Sequence, residues 1–346
     1  MKHLFSFSKL IFIFSQMKKF ILFFAFTGLI TLGTWAQTWN CGAQGNNLTA
    51  TLSGSSPNYT LTISGSGAMA DYAFNTMPWF SYKSQMKYLV IGDSVTSIGN
   101  NAFQNCINFT GNLTIPNSVT SIGNNAFQYC SNFNGNLTIS NSVTTIGNYA
   151  FDHCYGFTVN LTIPNSVTYI GNYAFQNCNK FTGNLIISNS VITIGKWAFA
   201  FCSGFTGDLT IGNSVKTIGE RAFDGCSGFT GNLTIGGSVT NIIASIFRKC
   251  KFTTINVNSG NSHYIADNGV LFTINKDTLI CCPVGKTGNY TIPNSVITIG
   301  ESAFESCNGL TGSLIIPNSV ITIDRVAFYK CTGFTSLTIG NSVTTI

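Results

Sequence analysis

The 346-residue chain is poor in charge: 8% of its residues are Asp, Glu, Lys or Arg, against about 25% in ordinary soluble domains, and the formal net charge is +6. Lys2, Lys9, Lys18 and Lys19 are four of the 17 basic residues, which leaves 13 against 11 acidic ones, scattered singly apart from Arg248-Lys249-Lys251. A nucleic-acid or anionic-membrane footprint needs a clustered basic face, so no nucleic-acid partner is expected.

Residues 1–36 read as a targeting segment. Lys18-Lys19 precede the apolar run Phe20 to Ile30, and Thr34-Trp35-Ala36 offers small-residue cleavage before Gln37. A second apolar run, Leu10 to Phe14, lies upstream of Met17, so the true start falls at Met17 in the simplest reading; an uncleaved anchor is the competing one. No later stretch is apolar for long enough to cross a bilayer. The remainder is therefore expected outside the cytoplasm, without membrane insertion once the signal is removed.

Residues 37–88 carry two alternating runs, Leu48 to Leu52 and Tyr59 to Ile63, separated by Ser53-Gly-Ser-Ser-Pro57. They predict a β-hairpin that covers the open end of the first coil of a repeat region, with Trp79 and Tyr88 as packing residues. From residue 89 a block of 24 residues recurs almost unchanged. Leu113-Thr-Ile-Pro-Asn-Ser-Val119-Thr-Ser-Ile122-Gly-Asn-Asn-Ala126-Phe127-Gln-Tyr-Cys130 returns at 137–154, 161–178, 185–202 and 209–226. Cys106, Cys130, Cys154, Cys178, Cys202, Cys226 and Cys250 keep a strict 24-residue interval, resumed by Cys307 and Cys331. A fixed period in the twenties is the signature of a solenoid, in which each unit covers only its neighbours and none is stable alone.

The unit explains its own residues. Leu113 and Ile115 alternate with Thr114, as a strand with one covered face requires. Pro116-Asn117-Ser118 turns the chain, Val119 to Ile122 form a second short extended run, and Gly123 ends it. Ala126-Phe127-x-x-Cys130 reads as one inward-facing helical turn, followed by Phe133. Leu, Ile, Val, Ile, Ala, Phe, Cys and Phe thus point inward, and stacking should align them in columns: Phe103, Phe127, Phe151, Phe175, Phe199 and Phe223 beside the thiols.

Regular units fill 89–252. Residues 253–289 form an enlarged unit that lacks the Ala-Phe-x-x-Cys turn, and Asn268-Gly269 inside it marks a projecting hairpin. Regular units resume over 290–346, and the sequence ends at Ile346 within a coil. The expected fold is a mainly β solenoid with a parallel sheet, short one-turn helices and an N-terminal β cap.

The pattern L-x-I-P-x-S-V-x-x-I-G-x-x-A-F-x-x-C-x-x-F resembles the BspA-like class of leucine-rich repeats of bacterial and some protist surface proteins. The resemblance covers residues 89–346 closely, with nine units keeping Phe three residues before Cys. It extends upstream to Leu61-Thr-Ile-Ser-Gly-Ser-Gly-Ala-Met69 and Pro78-Trp79-Phe80. Most units carry an extra residue in the Thr-Gly-Asn connection, whereas Phe334-Thr-Ser-Leu337-Thr-Ile339 has the tighter spacing of ordinary leucine-rich repeats. The resemblance implies adhesion to proteins or glycans of a host or neighbouring cell.

Chemistry finds little purchase. The thiol column lacks a paired C-x-x-C and an accompanying histidine, so neither metal nor cofactor is expected, and its parallel side chains suit free thiols. Cys41 and Cys281-Cys282 lie outside the column and are the places for a bridge, if there is one. Asp152-His153 occupies a variable, outward slot, and His263 near Asp267 and Asp277 has no nucleophile at recognisable spacing. No phosphate loop, nucleophile elbow or paired carboxylates appear, so no catalytic residue is assigned.

Binding is the better prospect. Asn117, Asn141, Asn165, Asn189, Asn213, Asn318 and Asn341 share one turn position, where stacked amides can bond along the axis. Thr114, Thr138, Thr162, Thr210 and Thr234 line an open strand face, interrupted by Ile186 and Ile315. Slots that vary against the fixed skeleton are exposed, and they put Tyr149, Tyr173, Trp197 and Phe201 on neighbouring coils as an aromatic contact strip. An extracellular protein or glycan is the expected partner; a passive spacer that displays other domains is the alternative.

Overall fold

A computed structural model describes residues 36–242 and 245–346. The targeting segment, up to Trp35, lies outside the described residues. The rest of the chain is a solenoid of parallel rungs. Short strands at the second extended run of each unit form one eight-stranded sheet, from Gly67–Ala68 through Val95–Ile98, Ser121–Ile122, Thr145–Ile146, Tyr169–Ile170, Thr193–Ile194 and Thr217–Ile218 to Asn241–Ile242. The register is set by the period: Thr145 pairs with Tyr169, and Tyr169 with Thr193. The Leu-x-Ile runs pair in parallel on another flank of the coil, as Leu161–Ile163 does with Leu185–Ile187.

Eight inward residues per coil form the core. In one coil Leu161, Ile163, Val167, Ile170, Ala174, Phe175, Cys178 and Phe181 are each at most 1% exposed, while Thr162 between them faces water. Stacking puts identical rings over one another at about the rung spacing of 4.7–4.9 Å. The first phenylalanine column runs Phe103, Phe127, Phe151, Phe175, Phe199, Phe223 and Phe247, with centroids 5.1–5.7 Å apart and nearly parallel planes. A second column runs from Phe109 through Phe133, Phe157, Phe181, Phe205 and Phe229 to Phe252. The thiols form a third. From Cys130 to Cys250 each donates to a phenylalanine carbonyl of the preceding coil, as Cys178 Sγ does to Phe151 O at 3.1 Å. All twelve cysteines are free, including Cys41, Cys281 and Cys282.

The Ala-Phe-x-x-Cys segment is a chain of turns rather than the expected one-turn helix. Tyr173 and Asn177 take left-handed backbone angles, with φ of 60° and 61°, which a helix cannot contain. The N–H groups then alternate in direction. Those of Ala174, Gln176 and Cys178 close turns onto the third residue before, whereas those of Tyr173, Phe175 and Asn177 donate to Lys196, Ala198 and Ala200 of the next coil at 2.7–2.8 Å. The turns thereby form their own axial hydrogen-bond ladder, and backbone donors that a single helical turn would leave unpaired are satisfied.

Asparagine completes the stitching. Asn189 Oδ1 accepts from Asn213 N at the turn position read from sequence. A more continuous column stands after the glycine: Asn100, Asn124, Asn148 and Asn172 each accept, through Oδ1, the backbone N–H of the equivalent residue one coil on, at 2.6–2.8 Å.

The cap is a three-stranded antiparallel sheet, Gln37–Gly42, Gly45–Ser53 and Tyr59–Gly65, whose last strand pairs in parallel with Met86–Ile91. Trp79 is fully buried, stacks on Phe103 at 5.8 Å and donates Nε1–H to Ala102 O, so an indole tops the first phenylalanine column. Tyr88, expected beside it, is 45% exposed because it alternates outward on its strand.

The enlarged unit does contain a hairpin. Tyr264–Asp267 and Val270–Thr273 are joined by Asn268 (φ 47°) and Gly269 (φ 74°), the paired left-handed turn that Asn-Gly favours. The hairpin does not project: Val270, Leu271 and Phe272 are fully buried within the stack.

Candidate binding surface

The turns place their two left-handed residues on the edge of the rod, so successive coils build two outward columns. Tyr149, Tyr173, Trp197 and Arg221 stand in the first, all with φ of 53–60°. Their rings pile face to face: Tyr149 on Tyr173 at 4.5 Å, and Tyr173 on Trp197 at 6.3 Å, with planes within 8°. The Arg221 guanidinium lies 4.9 Å over the other side of the Trp197 ring. Tyr129, His153, Asn177 and Phe201 stand in the second column. Phe201, 37% exposed, leans on Trp197 at 5.9 Å and joins the two columns. The structure thus brings all four sequence-predicted contact residues into one ridge.

Sequence reasoning left out Arg221, Tyr129, His153 and Tyr155, which extend this ridge. Tyr129 packs on the His153 ring at 4.6 Å and Tyr155 meets it edge-on at 5.4 Å. The period held the signal, since Arg221 follows Trp197, and His153 follows Tyr129, by one repeat.

Between the columns lies a buried polar file. Gln104 Nε2 donates to Gln128 Oε1 at 2.6 Å, and Gln128 Nε2 to Asp152 Oδ2 at 2.9 Å. Asp152 is 2% exposed, which corrects its assignment to an outward slot: like Gln104, Ala200 and Asp224 at the equivalent position, it turns inward. Burial raises the Asp152 pKa, opposed by hydrogen bonds from Gln128 and by His153. His153 Nδ1 sits 2.6 Å from Asp152 Oδ1, and its Nε2 lies 3.3 Å from the Asn177 amide. Both ring nitrogens are thus engaged, and the position that a nucleophile would need holds an amide. His263 contacts the Ser262 hydroxyl at 3.0 Å. Its candidate acids are engaged elsewhere, Asp267 by Lys276 and Asp277 by Thr273. Among the described residues no group of three or more His, Cys, Asp or Glu side chains is placed to hold a metal ion, and no helix is long and apolar enough to cross a membrane.

A parallel β solenoid with a coil of about 24 residues, a phenylalanine column and a half-buried aromatic ridge defines a repeat protein of the leucine-rich-repeat kind. The sequence matches the BspA type Leucine rich repeat region at residues 77–206, 155–268 and 273–346, and the chain belongs to that family. No curated protein matches it in sequence. Among solved structures it is similar to a leucine rich cell surface protein from Faecalibacterium prausnitzii A2-165, 22% identical over 88% of this chain and 94% of that one, with a TM-score of 0.51. It is similar also to the pneumococcal vaccine antigen PcpA, 22% identical over 86% of this chain and 70% of that one, again with a TM-score of 0.51. These likenesses show the fold.

Proposed function

We propose that the chain is an exported, surface-displayed binding module without catalytic activity, and that its ridge engages a protein of a host or neighbouring cell. The observation that carries this reading is the ridge itself: aromatic side chains gathered on consecutive rungs, half-buried at Tyr149, Tyr173 and Trp197 and exposed at Phe201, Tyr129 and Tyr155. Family membership, the apolar segment Phe20 to Ile30 and the surface location in the F. prausnitzii protein's name support display outside the cell. Ring geometry favours a protein over a glycan. Sugars dock against open aromatic faces, and here the faces of Tyr173 and Trp197 are covered by their neighbours on both sides, so edges and hydroxyls meet the partner.

Purified 37–346, screened against immobilised matrix proteins, cell extracts and a glycan array, should bind protein. Trp197→Ala and Tyr173→Ala should each weaken that binding about thirtyfold or more, the effect of a contact worth about 2 kcal/mol. A passive spacer is the second reading, favoured by the axial use of the asparagine amides, which leaves them little capacity for a ligand. Clean negatives in every arm would select it.

A further inference from the structure

The columns that run through the rod stop at one level. The eight-stranded sheet ends at Asn241–Ile242, and a separate five-stranded sheet carries the later coils. The turn ladder ends where Gly225 N donates to Arg248 O and resumes where Cys282 N donates to Ala303 O. Phenylalanine stacking ends at Phe247 and Phe252 and begins again with Phe304 on Phe328 at 5.0 Å. The apolar interior divides at the same place into two clusters.

Two antiparallel strands of the enlarged unit, Val270–Thr273 and Thr278–Cys281, make the partition. Side chains alternate across a strand, and here both faces are buried. Leu271 and Ile280 pack into the N-terminal core, while Val270, Phe272 and Leu279 pack into the C-terminal one. What spans the break is local. Ile255 N donates to Gly269 O, and Gly285 N to Phe252 O. The Tyr264 hydroxyl accepts from Ile242 N at 2.8 Å, capping the last strand of the long sheet. Arg248 reaches Glu305 at 2.8 Å and Asp224 at 3.8 Å, and Ser302 Oγ donates to the other Glu305 oxygen.

We propose that the rod is jointed: the strand pair is a septum between two stacks that open independently, with Arg248–Glu305 and Tyr264 as the latch between them. In regular stretches the backbone ladders and ring columns all continue from coil to coil, so opening is shared. At the septum they give way to isolated backbone bonds and to side-chain bonds, and one substitution can remove each of the latter.

Native-state hydrogen exchange on the intact chain, followed by mass spectrometry across a denaturant series, tests this. Amides of 298–339 are expected to open as one group at lower denaturant than those of 95–218. Glu305→Gln should speed the first group on the order of tenfold and leave the second unchanged. Tyr264→Phe, which removes one oxygen, repeats the test should Glu305→Gln fail to fold. One opening common to both sides would overturn the joint, and two separate openings indifferent to both variants would overturn the latch.

Discussion

A phenylalanine in the column touches its own kind above and below, so its removal leaves a void that neither neighbour can fill. Phe175 lies 5.1 Å from Phe151 and 5.3 Å from Phe199, and Phe175→Ala should cost about 3–5 kcal/mol in chemical denaturation. The thiols tie stability to pH. Burial pushes Cys41 up to about 11 and Cys281 up to about 12, and it pushes Cys106, Cys130, Cys154, Cys178, Cys202 and Cys250 upward as well. In the unfolded chain the same groups ionise near 8.5. The folded state therefore keeps protons that the unfolded state sheds. Its stability is intact below about pH 8 and falls as pH rises through the alkaline range, by about 1.4 kcal/mol per pH unit for each thiol. Denaturation midpoints under reducing conditions between pH 7 and 11 should show a steep decline, and Cys178→Ala should shallow it by one thiol's share. Midpoints that stay flat to pH 11 would contradict this account. At this scale the sequence was legible wherever the period spoke: ring and thiol columns follow from identity at 24-residue spacing. Asp152 was not, because the Phe-Cys pair looks uniformly variable although its first member is buried at Gln104, Asp152, Ala200 and Asp224.

At the scale of the element, the turn ladder trades local strain for axial hydrogen bonds. Left-handed backbone suits glycine, and the connection before the Leu-x-Ile strand uses it at Gly111, Gly183 and Gly207, with φ of 72–81°. Val159 holds the equivalent slot at φ 64° with a β-branched side chain that is 43% exposed. Val159→Gly should therefore stabilise the chain by about 1 kcal/mol, read as a raised denaturation midpoint. A fall would mean that the valine packs to better effect than its exposure indicates. This ladder was hidden from sequence reasoning. Inward groups at Ala, Phe and Cys satisfy a helical turn as well as linked turns, and what separates the two is the sign of φ at the residues before Ala and before Cys. The asparagine column after the glycine was likewise hidden, since Asn there reads as surface filler until its amide is seen to accept from the next rung.

For the whole molecule, rungs are interchangeable as long as the period is kept. Excising 113–136 removes one rung and joins Asn112 to Leu137 in register, so the shortened N-terminal stack should still unfold cooperatively with a smaller denaturant dependence. Excising 113–124 breaks every column at once, and circular dichroism should then show an unfolded or aggregated product. Equal outcomes for the two deletions would refute stacking as the source of stability. The solenoid itself was plain from spacing alone. The septum was not: Asn268-Gly269 announced a hairpin, but its burial depends on alternate residues finding apolar partners on both sides, and only the assembled stack shows that.

The orientation of the ladders has a mechanical corollary. Interstrand, turn and asparagine bonds all lie along the length of the molecule, so a pull on its ends loads them one rung at a time rather than all together. Each coil that peels away converts a rise of about 5 Å into roughly 80 Å of slack at about 3.3–3.6 Å per residue. Two cells tethered through such a chain would be joined by a fuse that lengthens in 24-residue steps and absorbs a jolt before the grip itself gives way.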